Sequence, residues 1–216
     1  SLWKFAANQG DDFFEVIKKR PVTKGSASIV VDLSGSMEAS SENASEKLQK
    51  LVLLLSEGLS ACHIPHEVLG YYAPIDENLS NQDIPSAFNR KSCRLETVVI
   101  KDVKDKSLHG LASLSVQQAD NSDGESVRVA LNRLLKQAGS TKMMFLISDG
   151  KPYMQDSDCD ILDADLQKAV MEATNKKVVV AGLGFAKNHP VLGSSYIGLD
   201  EDNMVGSIEK LFGDKK

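Results

Sequence analysis

Oxygen-bearing side chains recur in three short segments of this sequence, and the first segment is the densest. Asp32, Ser34 and Ser36 occupy alternate positions directly after an apolar run, so three oxygen donors fall within one loop. Gly35 is expected to let the backbone turn tightly between the hydroxyls. Carboxylate and hydroxyl oxygens suit a hard divalent cation, Mg²⁺ first, with Mn²⁺ or Ca²⁺ as alternatives. The loop contains neither a thiolate nor an imidazole that would favour zinc.

Two later segments supply further oxygen donors. Asp149 follows a second apolar run, and Asn121 and Asp123 open a helical segment. Asn121 could ligate through its amide oxygen or through a water, whereas Asp123 would add negative charge or simply cap the helix. The sequence leaves open which of these two is the third ligand. The predicted metal-binding set is Asp32, Ser34, Ser36, Asn121, Asp123 and Asp149.

The elements that must position these side chains alternate between strand-like and helix-like periodicity. This pattern predicts an α/β fold with a doubly wound, mostly parallel sheet that is flanked by helices. Where strand order reverses in such a sheet, the carboxyl ends of the strands meet at a crevice, which is the expected ligand position. The strand at 97–103 is expected near an edge, and the strand at 177–185 is expected to be the last. The predicted strands are 27–33, 67–73, 97–103, 142–148 and 177–185, and the predicted helices are 45–62, 126–137, 162–174 and 203–212.

The organisation predicted for the 216 residues is a short extension followed by one domain. Residues 1–24 form the N-terminal extension, and residues 25–216 form a single domain with an irregular insertion around 74–92. The acidic stretch 155–165 lacks the Gly and the terminal Glu of a calcium loop, so it is expected to be a solvated loop that leads into a helix. The four histidines are expected in loops or at helix ends.

Composition excludes several classes of function. The formal net charge of −5 argues against a sequence-independent nucleic-acid binder, which needs a dominant basic surface. The longest apolar stretch is too short to span a bilayer, and the start of the chain does not lead into a signal-peptide core. Cys62, Cys93 and Cys159 are few and far apart, which favours buried thiols in a reducing, cytoplasmic compartment.

These motifs resemble a known family. Asp32-x-Ser34-x-Ser36 with Ser-Asp-Gly at 148–150 resembles the metal-ion-dependent adhesion site (MIDAS) of von Willebrand factor type A (vWA) domains. The resemblance extends furthest to the carboxy-terminal domain of the aerobic cobaltochelatase subunit of the CobT type, through 121–126 and the tail from 181 to 212 as well. The chain is also similar to accessory proteins of nitric oxide reductase. The resemblance covers about residues 25 to 212.

The resemblance implies a binding module, with no catalytic residues, that leaves one coordination position of the cation open. A Glu or Asp from a protein partner would fill that position, and Met37, Glu38 and Lys151 would shape the rim. If the resemblance to CobT extends to role, the partner is a ring-forming AAA+ ATPase, and the complex remodels a client or inserts cobalt into a corrin precursor. Adhesion sites have Thr where this chain has Asn121, which makes the third ligand the least secure. Homo-oligomerisation stays open.

Two other functions remain as alternatives. An adhesion or virion-associated vWA module would keep the metal site and lose the ATPase partner. A Mg²⁺-dependent hydrolase would use Asp32 as nucleophile or Asp149 as base. The hydrolase is disfavoured because the motifs contain no general acid and no phosphate-binding loop.

Overall fold

In the computed structural model, runs of β-branched and apolar residues form the strands. Longer amphipathic segments form the helices. The structure describes residues 25–40, 43–75, 94–150, 152–154, 159–185 and 187–199. The predicted extension 1–24, nearly all of the insertion 74–92 and the helix 203–212 lie outside these residues. In chain order the elements are β1 (Gly25–Asp32), α1 (Gly35–Ser40), α2 (Ala44–Ala61), β2 (His66–Tyr72), β3 (Glu96–Lys101), α3 (Asp123–Leu134), β4 (Thr141–Ile147), α4 (Cys159–Asn175), β5 (Val178–Gly184) and β6 (Tyr196–Gly198), with short 3₁₀ helices at His109–Ser113 and Gly193–Ser195.

The six strands form one sheet in the order β3-β2-β1-β4-β5-β6. All neighbouring strands are parallel except β2 and β3, which are antiparallel. The predicted doubly wound, mostly parallel sheet is therefore confirmed, and so is the edge position of the strand that begins at Glu96. The prediction that β5 is the last strand was wrong, because β6 pairs beside it. With three residues, β6 is too short to produce a periodic signal in the sequence.

Strand order reverses between β1 and β4, and this reversal positions the candidate site. The chain runs outward from β1 to β2 and β3, then returns to add β4 on the other side of β1. Val31 on β1 pairs with Ile147 on β4, so the two strands end at the same level. Asp32 and Ser148 are therefore neighbours at the carboxyl edge, where ligands bind in open α/β sheets.

Helices cover both faces of the sheet and bury two separate cores. On one face, α2 presents an apolar stripe at helical spacing to residues that alternate along β1 and β4. On the other face, α3 and α4 pack against the residues of opposite phase. No helix within the described ranges is both long enough and apolar enough to cross a membrane. The buried stripe of α2 is Leu48, Leu51, Val52, Leu55 and Leu59, and that of α3 is Val127, Ala130, Leu131 and Leu134.

A buried arginine ties α3 to α4. Arg128 is 6% exposed and donates to Asp165 at 2.8 Å and to Glu125 at 2.7 Å, with Glu172 at 3.2 Å. Asp165 lies in the acidic stretch that was predicted to be a solvated loop leading into a helix. It also lies in the predicted helix 162–174 and is helical as predicted, but it is buried, 8% exposed, and Arg128 compensates its charge.

The two cysteines that the structure describes differ in exposure. Cys62 is buried at the end of α2, as predicted, whereas Cys159 at the start of α4 is exposed. The prediction that the thiols are buried was therefore wrong for Cys159, and Cys93 lies outside the described residues.

Gly184 generates a prediction about stability, because the end of β5 packs tightly against Ser148 and Tyr196 there. A Cβ at this position would overlap the Ser148 carbonyl oxygen and the Tyr196 hydroxyl. We expect Gly184→Ala to lower the free energy of unfolding by about 1–3 kcal/mol, measured by chemical denaturation. Val179→Thr is the control, since Val179 is 61% exposed on the same strand, and it should change stability by less than about 0.5 kcal/mol. Equal stability of the two variants would contradict this packing.

Candidate metal centre

The first oxygen cluster forms where β1 ends. Asp32 is fully buried, and its Oδ1 accepts the Ser34 backbone N–H at 2.8 Å. The hydroxyl oxygens of Ser34 and Ser36 lie 3.0 Å apart. Gly35 begins helix α1 and donates its backbone N–H to the Ala119 carbonyl at 3.0 Å, so the tight glycine turn predicted between the hydroxyls was wrong. The start of a helix places both hydroxyls on the same side instead.

Asp149 enters from the end of β4. It is 2% exposed, and its negative charge raises the pKa of Asp32, which places the two carboxylates in the same electrostatic environment. Gly150 follows with a φ of 74°, in the left-handed region that favours glycine. Its backbone N–H donates to the Ser148 hydroxyl at 3.1 Å. This turn therefore follows Asp149 directly at the end of β4.

Asn121 bridges two of the carboxylates through its amide nitrogen. Its Nδ2 donates to Asp32 Oδ2 at 2.8 Å and to Asp123 Oδ1 at 3.1 Å. Its Oδ1 accepts the backbone N–H of Tyr153 at 2.7 Å, which fixes the orientation of the amide. Turning the amide over would set oxygen against two carboxylates and NH₂ against an N–H. The amide oxygen, predicted as one possible ligand, therefore faces away from the carboxylates in this structure.

Asp123 is the most heavily hydrogen-bonded of the three carboxylates. It is the first residue of α3, where the helix dipole favours an anion. Its Oδ1 accepts the Tyr71 hydroxyl at 2.8 Å as well as the Asn121 amide, and its Oδ2 accepts the Ser148 hydroxyl at 3.1 Å. The sequence predicted that Asp123 would contribute charge or cap the helix. Its carboxylate is directed toward β2 and β4.

Burial and mutual repulsion make this cluster electrostatically demanding. Burial raises the pKa of Asp32 well above its usual range, and the negative charges of Asp123 and Asp149 raise it further. Burial also raises the pKa of Asp123 to about 6, although the donors Tyr71 and Ser148 partly oppose that rise. A divalent cation beside these groups would favour their ionised forms and so oppose both shifts.

Tyr71, Ser148 and His189 were not among the predicted metal-binding residues. Tyr71 pairs in register with Asp32 across β2 and β1, so both side chains project from the same face. His189 is 2% exposed and packs beside Gly150, and its Nδ1 accepts the Val191 N–H at 3.2 Å. Tyr71 is two residues after Leu69 on β2, so both side chains lie on the same face of the strand, and this spacing could have predicted that the phenol is buried. Its hydroxyl partner lies on another element, so the sequence alone could not identify it.

The predicted rim of the site is only partly as expected. Glu38 is exposed beside the loop, in agreement with a rim position. Met37 was predicted there wrongly, because its side chain is fully buried in the core under α2. Lys151 lies outside the described residues.

The donor set fits a hard divalent cation. Asp32, Ser34 and Ser36 offer oxygen, and the Asn121 amide offers its nitrogen to Asp32. Within the described part of the chain, no three His, Cys, Asp or Glu side chains are arranged to hold one ion among themselves. The hydroxyls of Ser34 and Ser36 would therefore have to share the ion with no more than two carboxylates, a set that Mg²⁺ accepts together with waters.

Comparison with known proteins now places the chain in a family. Residues 14–184 match the family described as the VWA domain of the cobalamin biosynthesis protein CobT. The chain belongs to this family. As a CobT-type VWA domain, it is similar to the uncharacterized protein YojO of Bacillus subtilis (strain 168), with 22% identity over 190 residues. That match covers 86% of this chain and 26% of YojO, so the chain spans about a quarter of the length of that relative.

Solved structures share the fold of this CobT-type VWA domain at low sequence identity. The PilB minor pilin of Streptococcus sanguinis has a TM-score of 0.62 at 12% identity, over 88% of this chain and 60% of that one. Proximal thread matrix protein 1 from the mussel byssus, with a zinc-occupied MIDAS motif, has a TM-score of 0.60 at 13% identity, over 87% and 44%. BatB of Bacteroides thetaiotaomicron has a TM-score of 0.53 at 14% identity, over 87% and 98%.

The raised pKa of Asp123 predicts a specific pH dependence of stability. The folded protein holds this proton more tightly than the unfolded chain does, so the contribution is fully present below about pH 4 and is lost as pH rises through about 6. In EDTA, we expect the free energy of unfolding of the wild type relative to Asp123→Asn to fall by on the order of 1–3 kcal/mol between pH 4 and pH 7.

Denaturant titrations of the wild type and of Asp123→Asn between pH 4 and pH 7 measure this difference. Subtracting the two free energies of unfolding removes the contribution of distant titrating groups. Mg²⁺ should restore part of the lost stability above pH 6 in the wild type. A difference that stays constant with pH would contradict the raised pKa.

Proposed function

We propose that this chain is a Mg²⁺-dependent protein-binding module in which a carboxylate from a partner completes the coordination of the cation. The observation that carries the proposal is the set of Asp32, the paired hydroxyls of Ser34 and Ser36, and Asp149 at the ends of β1 and β4. Each of these groups offers oxygen, and together they lie at the reversal of strand order.

The need for a cation is supported by the cost of the cluster without one. Two aspartates, Asp32 and Asp123, have raised pKa values because they are buried beside other carboxylates. Mg²⁺ prefers such oxygen ligands and retains waters that an incoming group can replace. A partner Glu or Asp would displace one water and form a contact that depends on both the metal and the charge.

The class of partner is inferred from the family. For a CobT-type VWA domain, we propose an AAA+ ATPase as the protein that docks at this site. A chelatase or remodelling activity would belong to the assembled complex, in which this chain supplies the metal-dependent contact. Because the chain spans about a quarter of YojO, the activity of the longer relative is also part of the proposal and not a finding.

Removal of the first carboxylate gives the direct test of metal-dependent docking. We expect Asp32→Ala to weaken Mn²⁺ binding, measured by electron paramagnetic resonance, by about 10-fold or more, because Asp32 supplies an anionic oxygen. The same variant should lose Mg²⁺-dependent capture of the purified AAA+ ATPase encoded nearest to this chain. Its circular dichroism spectrum should match that of the wild type, and its unfolding transition should stay cooperative.

Glu57→Ala is the matched control, since Glu57 is an exposed acid on α2, away from the strand ends. It should bind Mn²⁺ and the ATPase as the wild type does. Capture that is equally strong in EDTA would show that the contact does not pass through a metal. Capture lost equally by Glu57→Ala would show a general charge effect.

A further inference from the structure

Asp123 differs from Asp32 in which parts of the protein supply its hydrogen-bond donors. A carboxylate has about four lone-pair positions. Protein donors occupy both positions on Asp123 Oδ1, through Tyr71 and Asn121, and one on Oδ2, through Ser148. On Asp32, the donors are the backbone N–H and the hydroxyl of Ser34, in the same loop, together with the Asn121 amide. Asp123 is therefore held mainly by side chains of β2 and of the end of β4, whereas Asp32 is held mainly within the loop that carries the two serine hydroxyls.

Tyr71 is the donor whose hydroxyl can be removed while its ring keeps its place in the core. Its ring is fully buried between the sheet and α3, and its hydroxyl reaches across to Asp123. A phenylalanine would fill the same space. The hydroxyl therefore contributes one hydrogen bond to a buried anion, and hydrogen bonds to charged groups are among the stronger ones in proteins.

The geometry of the carboxylates points the same way. No three acidic, histidine or cysteine side chains among the described residues are arranged around one point, so Asp32, Asp123 and Asp149 do not all face a single ion. Asp32 lies in one loop with the two serine hydroxyls. The amide of Asn121 donates to both Asp32 and Asp123 and so links the two carboxylates.

We propose that Tyr71, Ser148 and Asn121 hold Asp123 as a second-sphere anion, so that the direct protein ligands of the cation come from Asp32, Ser34, Ser36 and Asp149. This inference rests on the proposed metal-binding function and adds Tyr71 and Ser148 to it as positioning residues. Asn121 then acts as the link that orients Asp32 against Asp123, in place of a ligating Thr.

Tyr71→Phe tests the second-sphere hydrogen bond, with Tyr72→Phe as the matched control. Tyr72 is the adjacent residue on β2, and its hydroxyl donates to Glu96 in an exposed pair. Loss of a second-sphere partner commonly weakens metal binding 10- to 100-fold, so we expect Tyr71→Phe to raise the Kd for Mn²⁺ by about 10-fold. Tyr72→Phe should leave this Kd unchanged. Isothermal titration with Mn²⁺ measures both, and equal Kd values for the two variants would overturn the role of Tyr71.

The number of waters on bound Mn²⁺ distinguishes a second-sphere Asp123 from a direct ligand. Water-proton relaxation at saturating Mn²⁺ should give the same number for Asp123→Ala as for the wild type. Ser36→Ala removes a direct ligand and should gain one water. A gain of one water in Asp123→Ala would overturn the proposal.

If Asp123→Ala fails to fold, Asp123→Asn provides a second measurement, because it keeps the shape of the side chain. Its Kd for Mn²⁺ should rise less than that of Asp32→Asn, and an equal or larger rise would overturn the proposal. A wild-type chain that binds no Mn²⁺ would remove both this inference and the proposed function. Mn²⁺ binding without ATPase capture would overturn only the docking function.

Discussion

Buried carboxylates repel one another unless donors or a cation compensate their charge, and this constraint organises the carboxyl edge of the sheet. Asp32, Asp123 and Asp149 are each no more than 2% exposed. The protein provides hydroxyl, amide and backbone N–H donors to them, yet the pKa values of Asp32 and Asp123 remain raised. Partial compensation of this kind makes a site that gains stability when it binds a cation.

The doubly wound sheet makes this concentration of charge possible. The apolar cores under α2 and under α3 and α4 hold β1 and β4 side by side, and their pairing brings both carboxyl ends to one level. Asn121 and Tyr153 then pair as an isolated antiparallel bridge. The stability of two ordinary cores therefore offsets the cost of one buried, charged site, a common arrangement at functional sites.

Prediction from the sequence succeeded where a short segment carries its own signal. The apolar runs before Asp32 and Asp149 predicted β1 and β4, and both strands are present, whereas the metal-binding set at their ends stays a prediction. The prediction that Met37 lies at the rim was wrong, because sequence position does not show which face of helix α1 carries its side chain. Prediction from the sequence also missed β6, whose three residues carry no measurable period.

Local spacing thus determined the strands, the long helices, and the oxygen donors that lie next to each other along the chain. Only the tertiary structure decided what those donors face. The Asn121 amide is oriented by the backbone of Tyr153, and Asp123 is held by Tyr71 from another strand, 52 residues away. Such contacts depend on strand register and helix packing, which arise from the whole core, so no local pattern encodes them.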